Sequence, residues 1–128
     1  MSVLGHTVMM MKKPTTSTFR YLRWTILTQN RAGEVDVGEV NWKVSGVDYP
    51  TQTMTSNTTP SPLVVTRSKA LSSTYEAWKV FNNDGNTSNW AANQAAPNWV
   101  QIDLGSGNGV TPTGIGITPT YNNDYVAT

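Results

Sequence analysis

The chain has 128 residues, no cysteine, 38% hydrophobic and 13% charged residues and a formal net charge of +1, which fits one compact domain and excludes disulfides, thiolate metal sites and cysteine nucleophiles. The near-neutral balance argues against the clustered basic surface of a nucleic-acid binder, and no apolar run approaches the roughly 18 residues of a membrane span. Charged residues fall well below the roughly 25% usual for soluble domains, while Thr and Asn are abundant, a composition that suits strands and turns rather than long solvated helices.

Residues 1–18 hold His6, Lys12, Lys13, Pro14 and a Thr/Ser run without apolar periodicity, so they read as an extended N-terminal arm ahead of a domain over 19–128. Residues 19–28 alternate, with Leu22, Trp24 and Ile26 on one face and Tyr21, Arg23 and Thr25 on the other, which predicts a strand. A second strand places Val35 and Val37 on one phase and Val40, Trp42 and Val44 on the opposite one. The slip at Gly38-Glu39 is the signature of a β-bulge.

Residues 45–62 are Thr-rich with Pro50, Pro60 and Pro62, and predict a long surface connection with one edge strand at most. Residues 63–66 suit a short buried strand, 75–81 about two helical turns, and Asn82-Asn83-Asp84-Gly85-Asn86 a tight loop. Residues 99–104 alternate again, with Val100, Ile102 and Leu104 inward. A flexible turn at 105–109 then leads to a last strand over 113–118, where Gly114 and Gly116 share one face and Ile115 and Ile117 pack on the other. The sum predicts an all-β antiparallel sandwich.

Three segments carry a resemblance: Ala77-Trp78-Lys79-Val80-Phe81, Asp84-Gly85-Asn86-Thr87-Ser88-Asn89-Trp90, and Trp99-Val100-Gln101-Ile102-Asp103-Leu104-Gly105. They resemble the discoidin, or coagulation factor V/VIII type C, family, which includes the family 32 carbohydrate-binding modules and has a galactose-binding-like jelly-roll sandwich. The third segment matches the family pattern throughout. The first two are separated by an inserted Asn82-Asn83. Arg20-Tyr21-Leu22-Arg23-Trp24-Thr25-Ile26 with Val37-Gly38-Glu39-Val40 resembles the family's closing strand pair, here placed first, an order similar to a variant in bacteriophage tail proteins. The likeness spans residues 19–45 and 64–118 and lacks the family's later strands, which implies a truncated form or a sandwich completed by another chain.

In that family the Asp-Gly loop often binds calcium. Carried over by position, the resemblance implies Ca²⁺ ligation by Asp84, Asn86, Thr87 and Ser88, with the bulged Gly38-Glu39 completing the shell. The alternative is a metal-free loop held by Asx-turn hydrogen bonds. For a carbohydrate ligand, loops 52–57, 90–98 and 121–125 are rich in Asn, Gln, Thr and Tyr, and Trp90, Asn93, Gln94, Asn98 and Tyr121 are the candidate contacts. Core packing is the stronger reading of most tryptophans.

Catalysis has few candidates. Glu34, Asp36, Asp48, Glu76 and Asp124 show no pairing of the kind a glycosidase needs, and His6 lies in the arm. The expectation is a non-catalytic virion tail component that binds surface glycan or docks onto other tail subunits, oligomeric or completed by a partner. The alternative is an extracellular accessory carbohydrate-binding module of a secreted glycoside hydrolase.

Overall fold

A computed structural model describes residues 16–29, 33–85 and 87–120. The arm expected over residues 1–18 therefore lies outside the described residues up to residue 15. The described chain is all-β, with eight strands in antiparallel pairing: β1 (Tyr21–Ile26), β2 (Val35–Val37), β3 (Glu39–Val44), β4 (Val47–Tyr49), β5 (Val64–Arg67), β6 (Trp90–Ala92), β7 (Asn98–Asp103) and β8 (Gly114–Thr118). They form three sheets, ordered β1-β7-β5, β2-β6 and β4-β3-β8.

Alternation places the core. On β1 and β7, register pairs Leu22 with Ile102 and Trp24 with Val100. Leu22, Ile26, Val100 and Ile102 are buried while Gln101 and Asp103 are partly exposed. One apolar cluster joins these residues to Val35 and Val37, Val40 and Trp42, Val65, Phe81, Trp90 and Leu104, so all three sheets share a single core.

The phase slip between β2 and β3 is a bulge. Glu39 stands opposite Thr118, and the preceding Gly38 also donates its N–H to the Thr118 carbonyl at 3.1 Å, so two residues face one. The extra residue turns Val40 and Trp42 back into the core and leaves Glu39 only 8% exposed.

Four segments depart from the sequence reading. The connection over 45–62 contains the edge strand β4, but it also sends Met54 into the core, with its N–H donated to the Phe81 carbonyl at 3.0 Å. The helical segment is two 3₁₀ turns, Ser73–Tyr75 and Ala77–Phe81, separated by an extended Glu76. Arg67 and Asn57 hold the Glu76 carboxylate at 2.8 and 3.0 Å, which interrupts the helix there. Residues 90–92, expected as part of a ligand loop, form β6 against β2.

Residues 115 and 117 are the fourth. Register puts Ile117 opposite Val40 and Ile115 opposite Trp42, on the core side of the sheet, yet they remain 42% and 43% exposed. Strand β8 is the sheet edge, and among the described residues nothing covers it.

Candidate functional site

The bulge and the Asp-Gly loop meet. Glu39 lies at the start of β3, and its carboxylate accepts the N–H of Gly85 at 3.0 Å. Within the loop the Asp84 carboxylate accepts from Thr87 N–H at 3.1 Å, from the Ser88 hydroxyl at 2.5 Å and from the Asn82 amide at 2.9 Å. The Asn82 oxygen in turn accepts the Asp84 N–H at 3.3 Å, an Asx-type closure. Burial pushes the Asp84 carboxyl up, but the hydrogen bonds from Ser88, Thr87 and Asn82 outweigh it and hold the group below the usual carboxylate range. The turn needs positive φ at Asn83 (52°) and Gly85 (70°), which Asn and Gly tolerate.

Of the residues expected to hold calcium, Gly38, Glu39, Asp84, Thr87 and Ser88 are gathered here, and Asn86 lies outside the described residues. Calcium takes six to eight oxygens. In this loop the Asp84, Ser88 and Asn82 oxygens instead face N–H and O–H donors of the loop itself. Among the described residues no three His, Cys, Asp or Glu side chains come together. This arrangement does not fit a calcium ion unless those bonds are given up. A neighbouring contact extends the network, since the Asn89 amide donates to Asp36.

The candidate sugar contacts separate. Trp90 is fully buried and donates its indole N–H to the Lys69 carbonyl at 2.7 Å, so no ring face is open to a ligand. Asn98 is also buried, donating to the Gln94 carbonyl at 2.8 Å and accepting from Ser68 at 3.2 Å. Both are structural. Asn93 and Gln94 are exposed, and Tyr121 lies outside the described residues. Asn57, at the end of loop 52–57, is spent on Glu76 and on the Trp78 N–H at 3.2 Å.

A cavity of about 370 Å³ lies elsewhere, where three segments remote in sequence converge. Tyr49 and Pro50 to Gln52 form one wall, Pro62 and Leu63 another, and Leu104 with Asn108 to Val110 the third. Leu63 and Leu104 are buried and belong to the core. Asn108 is anchored at the rim, its amide donating to the Leu104 carbonyl at 2.9 Å. Of these residues only Gln52 falls in a segment nominated from sequence. The signal missed was the Asn within the Gly-rich turn 105–109, which read as a turn alone because sequence spacing does not reveal what a turn faces.

The outward face of β1-β7-β5 is already occupied by its own side chains. Arg20 makes a two-point ion pair with Asp103 at 2.6 and 2.7 Å, which holds the Asp103 carboxyl below its ordinary range. Arg23 lies 4.0 Å above the Trp99 ring and donates to Gln101 at 3.0 Å. One face of that indole is therefore covered by a guanidinium.

Compared with protein-family models, with curated proteins and with solved structures, the chain matches none.

Proposed function

We propose that the chain is a non-catalytic binding module, a discoidin-like sandwich that seats a short surface carbohydrate in the Tyr49–Asn108 cavity and serves within a larger particle such as a bacteriophage tail. The observation that carries this reading is the chemistry of the cavity lining. An aromatic residue (Tyr49), two amides (Gln52 and Asn108) and a hydroxyl (Thr51) line the cavity together with the buried Leu63 and Leu104. Rings stack on the apolar faces of sugars, amides and hydroxyls bond their hydroxyl groups, and the volume falls within the roughly 300–1,000 Å³ of small-ligand sites. The described lining holds no carboxylate and no histidine, so a ligand there meets groups that orient it rather than groups that transfer protons. The tail setting rests on the sequence resemblance. An accessory module of a secreted glycoside hydrolase would use the same chemistry.

Calorimetric titration with a panel of mono- and oligosaccharides tests the site. At least one should bind in the millimolar range or tighter, with Tyr49→Ala and Gln52→Ala each weakening it about tenfold, the size of one lost contact of about 1.4 kcal/mol. Binding unchanged in both variants, or none across the panel, overturns the assignment.

A further inference from the structure

We propose that β8 pairs with β8 of a second copy of the chain, antiparallel and edge to edge about a two-fold axis at Gly116, so that two three-stranded sheets become one. The inference stands independently of the carbohydrate reading. Strand β8 is the last of its sheet. The Thr118 carbonyl faces β3, where it accepts from Gly38 at 3.1 Å, and alternation along the strand then turns the N–H and C=O groups of Ile115 and Ile117 toward the opposite edge. The same two residues stay 43% and 42% exposed on the core side of the sheet. An edge strand of sequence Gly-Ile-Gly-Ile-Thr, with neither charge nor proline, is a template for another strand.

Register says why the partner is a second β8. Centred on Gly116, the two-fold sets Ile115 opposite Ile117 of the second copy and Ile117 opposite its Ile115. Each such pair exchanges both backbone hydrogen bonds, so every outward N–H and C=O of the two residues finds a partner. The neighbouring two-fold registers fail. Centred on Ile115, the pairing sets Ile117 against Thr113, whose N–H is already donated to the Lys43 carbonyl at 2.8 Å. Centred on Ile117, it sets Ile115 against Pro119, which has no N–H. The side chains agree with the Gly116 register. On the core side each Ile115 lies beside Ile117 of the other copy, so the exposed apolar surface of one covers that of the other. On the opposite face Gly116 meets its own equivalent, and with no charge on β8 the axis brings no like charges together. The same patch serves both copies, so the pairing closes at two. One short strand per copy makes a small interface, and the dimer should be weak, with a dissociation constant of about 10–500 µM.

Analytical ultracentrifugation of the full chain, at concentrations on both sides of that constant, is the first test. It should show a monomer–dimer equilibrium, and Ile115→Lys, which sets a charge against Ile117 of the second copy, should weaken it about tenfold or more. A monomer at every concentration overturns the proposal, as does assembly that continues past the dimer or an Ile115→Lys chain that dimerises like the unaltered one. The chain has no cysteine, which allows a second test specific to the register. Residue 116 faces its own equivalent across the axis at a Cα separation of about 4.5 Å, within reach of a disulfide. Residue 114 lies about 13 Å along the strand from its equivalent, beyond that reach. A Cβ at either glycine meets nothing closer than 3.8 Å, so the fold accommodates both substitutions. Under mild oxidation Gly116→Cys should cross-link at dimer mass about ten times faster than Gly114→Cys or more, and equal rates for the two overturn the proposal.

Discussion

The Glu39 carboxylate accepts the Gly85 N–H at 3.0 Å across 46 residues of sequence. The bulge that buries Glu39 is thus also what fixes the Asp84 loop. Truncating Glu39 to Ala leaves a part-buried N–H without its acceptor and should cost about 1–3 kcal/mol. Glu39→Gln keeps an oxygen at the same reach and should cost less. Urea denaturation of both variants checks this, and a Glu39→Ala midpoint equal to that of the unaltered chain would show that the bond contributes nothing.

The loop's oxygens are turned to its own donors, so chelation should leave the thermal midpoint unchanged. Melting curves with and without a calcium chelator test this. A ligand held only by the folded state raises stability by mass action, so a midpoint lowered by several degrees would mean that the loop opens its hydrogen-bond ring to take the ion.

Period-two alternation made β1 and β7 legible in the sequence, and the phase slip located the bulge to the residue, because one inserted residue inverts every side chain after it. Strand β6 was not legible because Trp90, Ala91 and Ala92 are all buried and show no alternation. Core packing is the stronger reading of most tryptophans in the sequence, but only the indole's bond to the Lys69 carbonyl shows that it holds for Trp90. The exposure of Ile115 and Ile117 depends on what lies beside β8, which alternation within the strand does not encode. The cavity was least legible, since Tyr49, Pro62 and Asn108 meet only through the tertiary fold.

Acid should unfold the domain through identifiable groups. Hydrogen bonds from Arg20 hold Asp103 low, those from Arg67 hold Glu76 low, and Asp84 ends low despite the upward push of burial. A carboxylate depressed in the folded state contributes stability above its unfolded pKa, about 4, and that stability is lost as pH falls through the folded value. Burial raises Asp36 instead, so its ionisation opposes folding and its contribution improves as pH falls. Stability measured by urea titration from pH 7 to pH 2 should decline below about pH 4. Asp103→Asn should flatten that decline, and a slope identical to the unaltered chain would remove Asp103 from the account.

Met54 and Ile102 are both nearly inaccessible, although one belongs to an irregular connection and the other to a central strand. Replacement of either by Ala should cost about 2–5 kcal/mol, since each leaves a cavity in a shared core. A Met54→Ala loss below about 1 kcal/mol would show that the connection over 45–62 adjusts to refill the space.

Two glycines of one turn separate strain from crowding at the cavity. Gly105 and Gly107 have φ of 87° and 80°, so an alanine at either meets the same backbone penalty of about 1–2 kcal/mol. They differ in surroundings. A Cβ on Gly107 meets nothing within 4 Å, whereas one on Gly105 would lie 2.6 Å from the Pro62 Cβ and 2.7 Å from its Cγ. Pro62 lines the cavity, and its ring cannot rotate away as a flexible chain end would. Gly105→Ala should therefore lose a further 1–3 kcal/mol or so relative to Gly107→Ala, and should weaken saccharide binding by displacing the Pro62 wall. Gly107→Ala should bind as the unaltered chain does. Paired denaturation and calorimetry on the two variants give the comparison, and equal losses in both would mean that the Pro62 segment yields freely and sets neither the stability nor the shape of the site.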